Sequence, residues 1–96
     1  MSISDYVNVA RRVKAIVQGI DPEARVYLFD SAARGEATGA SDIDVLVVTN
    51  LIEHKYEMMV KVYKALKEPV ELHVATPEMV DRWYKRFVGE EELIEA

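Results

Sequence analysis

Ninety-six residues, half of them hydrophobic and 30% charged, suffice for one core; they exclude a disordered chain and leave no room for a catalytic domain joined to a separate substrate domain. The absence of cysteine excludes disulfides and thiolate metal sites, which leaves carboxylates and two histidines as strong ligands and favours hard divalent ions. A formal charge of -5 argues against binding long nucleic acid, which depends on neutralising many phosphates, yet suits a single nucleotide carrying its own metal ions.

No apolar run approaches the ~18 residues of a membrane span, and Met1-Ser2-Ile3-Ser4-Asp5 lacks a basic-then-apolar signal. The expectation is a cytoplasmic chain with no membrane contact, forming one domain over residues 1–96. Ser2 and Asp5 are spaced as a capping box, and Tyr6, Val9, Ala10, Val13, Val17 and Ile20 follow at helical spacing, which predicts a helix over about residues 3–19. Gly19 and Asp21-Pro22 stop it, and Arg25 to Phe29 reads as a short strand. Ala32, Ala33 and Arg34 predict a brief helical turn, and Thr38-Gly39-Ala40-Ser41 a polar loop. Asp42 to Thr49 is the second strand, whose Ile43-Val45-Leu46-Val47-Val48 run suits burial on both faces and a central place in a sheet.

From Ile52 to Lys67, Ile52, Tyr56, Met59, Val60, Tyr63 and Leu66 recur at spacings of three and four, predicting the longest helix with those residues inward and Glu53, Lys55, Glu57, Lys61 and Lys64 outward. Pro69 ends it. Val70 to Ala75 alternates as a strand, with Val70, Leu72 and Val74 inward and Glu71 and His73 on the other face. Thr76 then caps a last helix with Pro77 at its first position and Met79, Val80, Trp83, Tyr84 and Phe87 as a packing face, followed by Gly89 and an acidic tail whose order the pattern leaves open.

Chemistry gathers between Phe29 and Asp44. Asp42 and Asp44, two residues apart on a strand, project from one face and can chelate a divalent cation together. By residue type alone an Asp-x-Asp is more often a solvated strand entrance than a metal site. Glu71 has the face parity to complete the pair if its strand lies beside theirs. Ser31 and Arg34-Gly35 offer a hydroxyl, turn amides and a guanidinium to a phosphate. His54 and His73 receive no role, His73 being at most a residue behind Glu71.

Ser31, ten intervening residues and Asp42-Ile43-Asp44, with Ala33-Arg34-Gly35 and Ser41 between them, resemble the minimal nucleotidyltransferases of the polymerase-beta-like superfamily, whose motif is Gly-Ser, ten residues, then Asp-x-Asp. The resemblance covers almost the whole chain. It implies an α/β (α+β) fold, a small mixed sheet flanked by helices in the order α-β-(short α)-β-α-β-α. It implies that Asp42, Asp44 and Glu71 are catalytic and bind magnesium or manganese, and that Ser31, Arg34, Gly35 and Ser41 contact the nucleoside triphosphate. The implied reaction moves a nucleoside monophosphate, AMP from ATP, to an acceptor hydroxyl such as a tyrosine of a partner protein. Small stand-alone members are commonly antitoxins paired with a HEPN-domain toxin.

The chain departs from the motif at Asp30, which stands where the family has glycine. A carboxylate there faces an anionic ligand, so the alternative expectation is a binding module that neutralises a HEPN-type toxin by complex formation. The edge at Val70 to Ala75 and apolar residues of the last helix could support a homodimer.

Overall fold

The computed structural model describes residues 3–29, 43–87 and 93–96, apart from the side chains at 3, 4, 29, 83–87 and 93. Helix α1 spans Ile3–Gln18, strand β1 Arg25–Phe29, strand β2 Ile43–Val48, helix α2 Lys55–Ala65 after a 3-10 turn at Ile52–His54, strand β3 Val70–Ala75, helix α3 Pro77–Phe87 and strand β4 Leu93–Glu95. The strands form one four-stranded mixed sheet in the order β3-β2-β1-β4. β1 runs antiparallel to β2 and β4, and β2 runs parallel to β3. This is the small mixed sheet with helices that the sequence leads one to expect. The predicted short helix at Ala32 to Arg34 and the Ser2 cap lie outside the described residues.

Alternation in β2 sorts the molecule into two faces. Ile43, Val45 and Val47 join Val26, Leu28, Val70, Leu72 and Val74 in a core closed by Tyr6, Val9, Ala10, Val13 and Val17 of α1. The α1 face is the one its spacing predicts, because a continuous apolar stripe has only the sheet to cover it. Its end is held by the Asp21 amide, which donates to Val17 O at 2.9 Å. The Asp21 carboxylate, itself buried, accepts from the Thr49 hydroxyl and from the Glu23 amide. Thr49 in turn accepts the Leu51 amide at 3.0 Å, so one buried pair ties the end of α1 to the end of β2. Thr49→Val should therefore cost about 2–3 kcal/mol in urea unfolding, because a buried carboxylate oxygen loses its donor; a cost near zero would mean water replaces the hydroxyl.

Two expectations are corrected. The acidic tail contains β4, which pairs Tyr27 with Glu95, Leu28 with Ile94 and Phe29 with Leu93. Ala96 extends the pairing by donating its amide to Val26 O at 2.9 Å. Three residues carry no readable alternation, and this strand exists through its partner.

The second correction concerns α2. Met58 and Val62 with Leu66 beyond them are the buried stripe, whereas Tyr56, Val60 and Tyr63 are exposed at 75%, 51% and 47%. At about 100° per residue the apolar sector runs from Met58 round to Val60, more than half the helix, and the sheet and α1 cover only its Met58 side. Tyr63 turns to the rim, where its hydroxyl accepts the Leu72 amide of β3 at 3.1 Å, occupying a donor on an edge strand. Met58→Ala should lose about 2–4 kcal/mol and Tyr56→Ala less than about 0.5 kcal/mol by chemical denaturation. The reverse ranking would restore the predicted face.

Among the described residues, no helix is long and apolar enough to cross a membrane.

Candidate active site

The parallel register of β2 and β3 sets Asp44 against Glu71 and Leu46 against His73. Because Ile43, Val45 and Val47 point into the core, Asp44 projects from the opposite sheet face, and Glu71 and His73 emerge beside it by the same alternation. Asp44, Glu71 and His73 thus share this face with the buried Leu46. His73 Nε2 lies 3.4 Å from Asp44 Oδ1 and 3.9 Å from Glu71 Oε1. One donor atom from each residue falls within 4.8 Å of the other two.

Burial is the main cause that raises the Asp44 carboxyl above the ordinary aspartate value, and the hydrogen bond and charge of Glu71 push it the same way, while His73 opposes them. Two carboxylates converging at a half-buried point repel each other unless a cation or proton lies between them. The donor set fits a divalent cation. With one donor atom from each residue within 4.8 Å of the other two, small side-chain rotations would bring two carboxylate oxygens and an imidazole nitrogen onto one ion.

Beside the cluster, a cavity of about 360 Å³ runs between β3, α2 and α3, with His73, Leu46, Met59, Val74, Met79 and Lys55 in its wall. His73 belongs to both, so the cavity opens next to the carboxylates. The start of α3 is fixed by Thr76, whose hydroxyl accepts the Met79 amide at 3.2 Å, with Pro77 in the first turn as the sequence suggests.

Of the expected site residues, Asp44 and Glu71 are brought together, whereas Asp42, Ser31, Arg34, Gly35 and Ser41 lie outside the described residues. His73, expected at most behind Glu71, stands in the cluster itself; its period-two relation to Glu71 commits it to the same face.

The mixed sheet thus sets a carboxylate of an inner strand against a second carboxylate on its parallel neighbour, a site of the class that can bind a cation. The family model for the nucleotidyltransferase domain matches residues 10–95, and the chain belongs to that family. A solved structure proposed to be a nucleotidyltransferase is similar over 90% of this chain and 95% of its own, at 27% identity and a TM-score of 0.68. A second, from Sulfolobus solfataricus and also proposed to be a nucleotidyltransferase, covers 97% of this chain and 83% of its own at 25% identity and a TM-score of 0.57. No significant match is found among curated proteins. The family and these likenesses place the chain among transferases whose activity class is nucleotidyl transfer.

Proposed function

We propose that residues 1–96 form a single minimal domain that uses a divalent cation, magnesium or manganese, to transfer AMP from ATP to an acceptor hydroxyl, a tyrosine of a HEPN-domain partner being the acceptor that the family resemblance suggests. The observation that carries this reading is the Asp44–Glu71 register on adjacent parallel strands, within a chain matched to the nucleotidyltransferase family over residues 10–95. Asp44 and Glu71, with Asp42, hold the metal. Ser31, Arg34, Gly35 and Ser41 hold the triphosphate.

A divalent ion so held supplies charge neutralisation for the attacking and leaving oxygens. The acceptor oxygen forms a bond to the α-phosphorus, the bond from that phosphorus to the pyrophosphate oxygen breaks, and the hydroxyl proton passes to the Glu71 carboxylate. Glu71 is suited to that exchange because it sits on the edge strand and is more than half exposed, where a large acceptor can reach it. Asp44, 18% exposed, is the more fixed of the two and orients the phosphate end. Positioning and electrostatics account for the rate enhancement, as in phosphoryl transfer generally.

Competition among the four α-labelled nucleoside triphosphates, with magnesium and the partner present, tests the reading: label should reach a protein hydroxyl, and most from ATP. A second reading, favoured by Asp30 in the glycine position, is neutralisation of the partner by complex formation. Stable co-purification without label transfer from any of the four would select it.

Metal binding has its own readout. At about ten times its dissociation constant, magnesium should stabilise the fold by ~1.4 kcal/mol through linkage, raising the melting temperature by about 6–11 °C for a domain of this size. An equal rise in Asp44→Asn would indicate a nonspecific ionic effect.

A further inference from the structure

Asp44 and Glu71 are the oxygen donors of the proposed metal site, and an imidazole nitrogen stands within 4.8 Å of both. We propose that His73 Nε2 is a direct ligand of the same cation, so that the site prefers a first-row transition ion, manganese, to magnesium. This rests on the reading of Asp44 and Glu71 as metal ligands.

Three observations carry it. The Nε2 atom lies 3.4 Å from Asp44 Oδ1 and 3.9 Å from Glu71 Oε1, close enough for small side-chain rotations to put the three donors on one ion, and 3.4 Å is long for an N–H···O hydrogen bond. Backbone register fixes His73 in place, since it stands opposite Leu46 and two residues from Glu71 on the same strand face. His73 also lines the 360 Å³ cavity, and its side chain keeps 42% exposure.

Donor chemistry sets the selectivity. Magnesium is hard, holds its waters and gains little from an imidazole, so it is bound through carboxylate and phosphate oxygens. Manganese accepts the same octahedral oxygen geometry and, although it is the weakest binder of the first-row series and is held chiefly through oxygen, it gains more from a single imidazole than magnesium does. Zinc binds imidazole more strongly still, but its preference for four tetrahedral ligands leaves less room for the triphosphate oxygens that complete the site during turnover. Replacing His73 therefore affects the two ions unequally if it is a ligand, and equally if it only holds Asp44 by a hydrogen bond.

The experiment is manganese titration of the whole chain followed by electron paramagnetic resonance, with pulsed detection of nitrogen coupling, alongside magnesium affinity by calorimetry. Wild type should show coupling to one imidazole nitrogen. His73→Gln should lose that coupling and bind manganese at least about tenfold more weakly, with magnesium affinity changed less than about twofold. No nitrogen coupling in wild type, or an equal loss for both ions in His73→Gln, overturns the role of His73 and leaves the carboxylate site standing. Binding of neither ion by wild type overturns the carboxylate site itself, and His73 with it. The wild-type coupling does not depend on the folding of any variant.

Discussion

Replacing Asp44 by asparagine is expected to lower nucleotidyl transfer by about a hundredfold to a thousandfold while making the metal-free protein more stable. Asparagine keeps the shape of the side chain and an oxygen for His73, but removes the charge that holds a cation, and loss of one such stabilising group typically has that effect on rate. The stability gain has the opposite origin. Burial first, and then Glu71, raise the Asp44 carboxyl above its ordinary value, so the folded state holds that proton more tightly than the unfolded chain does. Stability is consequently lost as pH climbs from the ordinary aspartate value through the raised one, and the loss is complete above it. Removing the Asp44 charge relieves repulsion from Glu71 of about 1 kcal/mol, for charges within 4.8 Å of each other in a nearly aqueous dielectric. Asp44→Asn should then melt ~4–8 °C higher than wild type without metal, with the gap closing in acid below the ordinary aspartate value and narrowing or reversing when magnesium is added. A variant less stable than wild type at neutral pH without metal would mean that Asp44 contributes to the fold and is not held there against a cost.

Asp30→Gly should tighten metal-nucleotide binding by several-fold to about a hundredfold. In the family motif the residue before Ser31 is glycine, which lets backbone approach a phosphate closely; Asp30 adds a side chain and a charge of the wrong sign. One unit-charge repulsion at ~6 Å, for an effective dielectric of ~20 to 80, is roughly 0.7 to 3 kcal/mol, and that energy converts to the stated range of affinity. Asp30→Asn should recover part of the gain, since it removes the charge and keeps the bulk. Stability should change less, because glycine also frees the unfolded backbone. Calorimetric titration of the three proteins at fixed magnesium and salt decides the matter: equal affinities, or weaker binding by Asp30→Gly, would place the Asp30 carboxylate away from the phosphates.

The parts of the fold legible in the sequence are those governed by local periodicity. Tyr6, Val9, Ala10, Val13 and Val17 mark the buried side of α1, and the unbroken run through Val45, Leu46 and Val47 marks β2 as central; both are buried as the pattern requires. What resists reading depends on partners distant in the chain. β4 exists because β1 offers it an edge. In α2 the apolar arc is wider than the covering surface, so spacing alone cannot choose between the Met58 side and the Tyr56 side. The candidate site shows the same division. Parity places Glu71 and His73 on one face, but only the parallel pairing of β2 with β3 brings them to Asp44. Sequence alone leaves His73 at most behind Glu71, because a histidine on a strand has no chemistry until its neighbour across the sheet is known.

The most direct test of nucleotidyl transfer is the fate of the individual phosphates. With ATP labelled at the α-phosphorus in one reaction and at the γ-phosphorus in another, the wild-type chain, magnesium and the partner protein should put the α label on the acceptor and release the γ label as pyrophosphate in equal amounts, and a chelator should stop both. Appearance of the γ label on the acceptor would show phosphoryl transfer instead, and label transfer indifferent to the chelator would contradict a site built from Asp44 and Glu71 around a metal ion.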